Sequence, residues 1–243
     1  MLSVAGALAG SVAVVGPSVA ATGRQMVALG DSVPSGARCS CRPFPERYAD
    51  KVGAHTGEAV AMTNDAVGGA TSGDVLQQLD QAAVRRAVQA STTALVMIGA
   101  NDFGPAFRRV LAHRARGRVA FARVADQVRQ NVTGIVRRLR QLRPQLRVVV
   151  AGYWNVMKDG RVGLQTYGTW GEEKADQATT YANAALRDAV AATHATYVST
   201  YRPFKGPQGH RDPTPLLAWD GDHPDRRGHE VIATAFYAAA PNG

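Results

Sequence analysis

The feature that most constrains this chain is an alternation. Short apolar runs at residues 25–29, 59–62, 94–98, 146–151 and 196–198 each give way to Gly, Asn or other polar residues, and longer helical patterns lie between them. Runs this short and this apolar read as strands buried on both faces. The helical patterns cover residues 46–55, 74–89, 107–142 and 172–193, with a last one around Val231, Ile232, Ala235 and Phe236. Within 107–142, the positions Val124, Val128, Val132, Ile135, Val136, Leu139 and Leu142 fall on one face, and Arg129, Arg137, Arg138 and Arg140 take the rest. That is an amphipathic helix lying on a sheet with a solvated Arg face. Strands alternating with helices imply an α/β chain: a three-layer α/β/α domain with a mainly parallel five-stranded sheet, flavodoxin-like in order. Ligands of such sheets bind beyond the carboxyl ends of the strands, so the residues that follow each run carry the interest.

A chain of 243 residues that is 45% hydrophobic can bury one full core, and it shows no internal repeat, low-complexity tract or Gly/Ser linker that would divide it. The first charged residue is Arg24, and the apolar N-terminal run leads into Pro17, Ser18, Val19, Ala20 and Ala21. Small residues at Ser18 and Ala20 suit a signal-peptidase site, and the run is short for a membrane span. Residues 1–23 are therefore expected to be a signal peptide or a disordered N-terminus, residues 24–243 a single catalytic domain, and the protein secreted or extracytoplasmic.

The net charge of +9 favours weak association with anionic surfaces such as acidic lipids or wall polymers. The Arg residues are scattered along helical stretches, with no finger or homeodomain signature and no basic runs interleaved with aromatics, so nucleic acid is not an expected partner. Cys39 and Cys41 are the only cysteines, which excludes a disulfide framework and a cysteine-rich zinc site. A bridge across one residue and a pair of free thiols both remain open.

Four polar segments at strand ends carry candidate chemistry. Gly30-Asp31-Ser32-Val33-Pro34 follows the first run, where a sharp turn would expose the Ser32 hydroxyl and aim its N–H into the same space. An Asp-Ser pair suits a helix N-cap equally well. Gly68 and Gly69 follow the second run and would let a backbone N–H approach a ligand, or simply make a turn. Gly99-Ala100-Asn101-Asp102 follows the third, offering the Asn101 amide to developing negative charge or serving as a cap. In Asp220-Gly221-Asp222-His223, the histidine is the natural base near neutral pH. A carboxylate three residues earlier, at Asp220, can fold back onto its Nδ1–H, fix the tautomer and stabilise the charged ring. Asp222 reads as solvent-facing or as a turn cap, and the loop lacks the further oxygen ligands of a calcium site.

Taken in order, these four segments resemble the blocks of the SGNH hydrolases, also called GDSL esterases and lipases, from about Met26 to the C-terminus. The surroundings Ala66-Val67-Gly68-Gly69-Ala70-Thr71-Ser72 are similar to exported bacterial members. The resemblance implies Ser32 as nucleophile, His223 as base and Asp220 as its orienter, with an oxyanion hole of the Ser32 N–H, Gly69 and Asn101. It implies a carboxylic ester hydrolase working through an acyl-Ser32 intermediate, without cofactor or metal, on a lipid or acylated-carbohydrate ester, and a monomer. The alternatives are an acyltransferase using the same site and a basic envelope-binding module. A flavodoxin-like redox protein shares the strand and helix order, but a first turn of Asp31-Ser32-Val33-Pro34 offers no phosphate cradle.

Overall fold

The computed structural model describes residues 23–242. The expectations for the N-terminal run, Gly23 apart, lie outside the described residues. Five strands, β1 (Arg24–Gly30), β2 (Val60–Asn64), β3 (Thr93–Met97), β4 (Arg147–Ala151) and β5 (Thr196–Val198), form one sheet in the order β2-β1-β3-β4-β5. Every neighbouring pair is parallel, as with Met26 opposite Met62 on one side and Thr93 on the other. Each apolar run read from the sequence is thus a strand.

Burial follows position in the sheet. Met26, Val27, Ala28 and Leu29 of β1 and all of β3 are buried on both faces, which is why they read as unbroken apolar runs. β2 lies at the edge and alternates between half-buried and exposed residues. Eight helices connect and cover the sheet: α1 (Phe44–Thr56), α2 (Ser72–Gln78), α3 (Ala82–Ala90), α4 (Ala100–Leu111), α5 (Gly117–Leu142), α6 (Gly160–Thr193), α7 (Tyr201–Lys205) and α8 (Arg226–Ala239). The step from β1 to β2 runs opposite to all later steps, so right-handed crossovers put α1 on one face and α2 to α6 on the other. The packing agrees: α1 lies against α8, while α5 packs on α2, α4 and α6.

Three helical patterns differ from the sequence reading. The 74–89 pattern is two helices, because residues 79–81 leave the helical course after Gln78. The 107–142 pattern begins earlier and is also two: α4 runs through Gly104 and Pro105, and the chain turns at His113, whose φ is 54°. Apolar spacing continues across that turn, so periodicity could not show it. The 172–193 pattern starts at Gly160, where Asp159 accepts from the Gly160 N–H, and it kinks at Gly168 with φ 64°. Among the described residues no helix is long and apolar enough to cross a membrane.

The order β2-β1-β3 makes the carboxyl ends of β1 and β3 the point where the chain's winding reverses. That is where an open parallel sheet offers a crevice. The first three candidate segments leave the sheet at these ends, from β1, β2 and β3.

Candidate active site

The turn that carries Ser32 is built by close approach of two strands. At Gly30, φ is 151° and any side chain would collide with the Met97 carbonyl of β3. The next N–H, of Asp31, donates to that same carbonyl at 3.1 Å. The Ser35 and Ala37 N–H groups donate to the Asp31 and Ser32 carbonyls at 3.3 and 3.0 Å, and Ser35 Oγ donates to the Ser32 carbonyl at 2.9 Å. This closed turn leaves the half-buried Ser32 with its own N–H free of a protein acceptor among the described residues. The N-cap reading of Asp-Ser therefore fails: α1 begins at Phe44, well beyond it.

Asp31 faces the core. Its carboxylate accepts from the Val33 N–H at 3.0 Å and from the Tyr153 hydroxyl. Complete burial raises its pKa from 3.8 to about 7, against the lowering effect of these two hydrogen bonds. Burial and the neighbouring Asp31 charge raise Tyr153 well above its ordinary value, so its hydroxyl stays a donor.

The glycine segment is tied to this turn. The Val67 N–H donates to the Gly30 carbonyl at 2.9 Å, and Ala70 N–H to Val67 carbonyl at 3.1 Å. Gly69, at φ 83°, is exposed, and its N–H has no protein acceptor among the described residues. Thr71 then caps α2 in a reciprocal box with Asp74. From β3, Gly99 at φ 121° passes against Val128 and turns Asn101 into the first turn of α4. Asn101 Nδ2 donates to the Ala70 carbonyl at 2.9 Å, which places the amide beside the glycine loop. Asp102 is a cross-tie that sequence reading took for a cap: it accepts from the Ser72 N–H at 2.9 Å and Ser72 Oγ at 2.6 Å, joining α4 to α2.

The fourth segment is a closed loop. The Ala218 N–H donates to the His223 carbonyl at 2.8 Å and Gly221 N–H to Ala218 carbonyl at 3.0 Å, with Gly221 at φ 69°. Asp220 Oδ1 accepts from the N–H groups of Asp222 and His223, each at 3.1 Å, and Oδ2 lies 2.6 Å from His223 Nδ1. Burial pushes the Asp220 carboxyl upward, but the His223 ring and these two N–H groups outweigh it and hold it below the usual carboxylate range. The charged acceptor favours the proton on Nδ1 and leaves Nε2 as the unprotonated nitrogen of the neutral ring. Asp222 is half-buried, not solvent-facing, and burial raises its pKa. Among the described residues no hydrogen bond joins Ser32 Oγ to His223.

Two supports were beyond sequence reading. The Asp159 N–H donates to the Gly221 carbonyl at 2.8 Å, and the Asp159 carboxylate takes two hydrogen bonds from Lys205 Nζ at 2.9 Å in a buried pair. Nothing in the spacing of Asp159, Lys205 and Gly221 announces that they meet. The cysteine question is also settled by the fold: Cys39 and Cys41 form a disulfide with Cα atoms 5.1 Å apart. A ring nitrogen of His229 lies within 4.8 Å of both sulfurs, but sulfurs bonded to each other offer no thiolate to a metal.

The model of the GDSL-like lipase/acylhydrolase family matches residues 28–231. Solved structures share the fold at low identity. A lipase from a goat rumen metagenome is 21% identical with a TM-score of 0.74, over 89% of this chain and 97% of that one. An extracellular lipase from Streptomyces rimosus is 20% identical at 0.62, over 89% and 100%. A phospholipase A1 from Streptomyces albidoflavus is 21% identical at 0.62, over 90% and 100%. No curated protein matches the chain. With a family match that spans most of the sequence, and a five-stranded α/β domain of the expected kind beneath it, the chain belongs to the GDSL-like lipase/acylhydrolase family and is a carboxylic ester hydrolase.

Proposed function

We propose that this hydrolase acts through an acyl-enzyme on Ser32. His223 Nε2 removes the Ser32 hydroxyl proton as Oγ attacks the ester carbonyl. Asp220 stabilises the imidazolium that results. The N–H groups of Ser32 and Gly69 and the Asn101 amide receive the oxyanion. The tetrahedral adduct then expels the alcohol, which takes its proton from His223, and water admitted on the same path releases the acid. The observation that carries this reading is the 2.6 Å contact between Asp220 Oδ2 and His223 Nδ1, held in a loop closed by the Ala218–His223 and Gly221–Ala218 backbone hydrogen bonds. Two unclaimed N–H groups in turns tied to one another supply the second half of the chemistry.

The lipase and phospholipase likenesses support a lipid-type ester as the substrate, with an acylated carbohydrate as the other class. We place the catalytic domain at residues 24–243, read residues 1–23 as a signal peptide of a secreted or extracytoplasmic monomer, and assign the net charge of +9 to weak contact with anionic surfaces. Ser32→Ala should lose hydrolysis of a chromogenic short-chain ester while melting at the wild-type temperature. Turnover kept near the wild-type rate would remove Ser32 from the mechanism.

A further inference from the structure

The rim of the site beside His223 holds a cation whose placement the reaction does not explain. Arg38 adopts φ 63° and Ser40 φ 49°, left-handed conformations that ordinary residues seldom take and that persist only where surrounding structure enforces them. The Cys39–Cys41 bridge closes the loop across Ser40, immediately after Arg38. The Arg38 guanidinium lies over the Trp219 ring, 5.6 Å from its centroid, with Nε 4.0 Å from Asp220 Oδ2. At 76% exposure, Trp219 is the most exposed large hydrophobic side chain among the described residues, and it immediately precedes the orienting carboxylate.

Arg38 is not there to complete Asp220. Both oxygens of that carboxylate are already taken, Oδ1 by two backbone N–H groups and Oδ2 by His223. Among the described residues Arg38 donates no hydrogen bond, and its side chain is 59% exposed. A second cation beside Asp220 also competes for the charge that must stabilise the imidazolium, so catalysis on a neutral ester gains nothing from it. What remains is a largely exposed guanidinium braced on one face by an aromatic ring, set on a cross-linked loop beside Asp220. That geometry matches the paired oxygens of a carboxylate or a phosphate.

We propose that Arg38, braced by Trp219 and the Cys39–Cys41 loop, determines specificity by binding an anionic carboxylate or phosphate substituent of the ester whose carbonyl lies at Ser32. The proposal rests on the acyl-Ser32 reading. Its test uses two matched pairs of soluble esters. In one, the charge is on the acyl side: 4-nitrophenyl hydrogen glutarate against 4-nitrophenyl methyl glutarate. In the other it is on the alcohol side: dihexanoylglycerol phosphate against dihexanoylglycerol. The readout is the ratio of kcat/KM for the charged ester to that for its neutral partner. Arg38→Gln should lower this ratio by roughly tenfold or more in at least one pair. The pair that responds identifies the side on which the anion sits. Arg38→Lys should fall between, since it keeps the charge and loses the fork. Trp219→Ala should lower the ratio in the same pair. Ratios unchanged in both pairs would overturn the proposal, as would equal losses on charged and neutral esters, which would make Arg38 a partner of Asp220 only. Failure of the Ser32 reading shows separately, as turnover of the neutral esters by Ser32→Ala.

Discussion

Asp31 and Ser32 are adjacent in the chain and opposite in environment, and that contrast organises the site at the scale of single residues. Ser32 turns toward the cleft with its N–H unclaimed, whereas Asp31 is buried against the Tyr153 hydroxyl, 122 positions away. The cost of that burial is visible in its pKa of about 7. Between pH 3.8 and 7 the unfolded chain ionises this carboxyl while the folded protein keeps its proton, so stability falls as pH rises through that window. His229 does the reverse. Buried in α8 with Nδ1 accepting from the Phe44 N–H, and lowered by burial from 6.5 to about 4, it stays neutral where the unfolded chain takes up a proton. Its contribution is lost as pH falls from 6.5 toward 4. Relative to wild type, Asp31→Asn should therefore gain stability as pH is raised from 4 to 8, and His229→Asn as pH is lowered from 7 to 4. Urea unfolding at several pH values measures both slopes, and slopes of the same sign would contradict the burial account. At this scale Ser32, Gly69 and Asn101 were singled out from short motifs that follow strands, and Asp220 and His223 from a polar loop ahead of the last helix. Tyr153, Lys205 and Arg38 were not, since each acts on a residue far from it in sequence.

Among elements, the loop that carries Asp220 and His223 depends on neighbours outside its own sequence. An antiparallel bridge between Leu217 and Pro224 closes it, Asp225 caps α8 just beyond it, and the Asp159 N–H pins its Gly221 carbonyl from the start of α6. Lys205 at the end of α7 neutralises Asp159, with only 9% and 5% of the two side chains exposed. Burial alone would lower the lysine, but the Asp159 charge and hydrogen bonds raise its pKa and keep it cationic. Lys205→Met should cost about 3–5 kcal/mol in stability, because it strands a buried carboxylate. It should also lower kcat by loosening the Gly221 pin. Calorimetry and steady-state kinetics on one preparation check both, and a variant as stable as wild type would show that the pair is not a support. The strands were legible as elements because buried parallel strands need continuous apolar runs. Helix ends were less so. The pattern expected over 107–142 missed the start of α4 at Ala100, ahead of Gly104 and Pro105, and the turn at His113. In both cases tertiary packing overrode local preference.

For the molecule as a whole, one reversal of winding explains why the loops that carry Ser32, Gly69 and Asn101 meet. β1 sits in the sheet between β2 and β3, and the loops leaving all three strands are stitched by the Gly30–Val67 and Asn101–Ala70 hydrogen bonds. The parallel sheet and its covering helices followed from sequence alternation alone, whereas the rim that selects among esters came into view only with the fold. The family assignment makes the chain an ester hydrolase, and the acyl-Ser32 step is the claim on which the rest depends. Rapid acid quench during turnover of a 4-nitrophenyl ester, followed by peptide mass spectrometry, tests it most directly. The acyl mass should appear on the peptide that contains Ser32, accumulating in wild type and absent from Ser32→Ala. An acyl group found on any other residue, or steady turnover by Ser32→Ala at the wild-type rate, would contradict it.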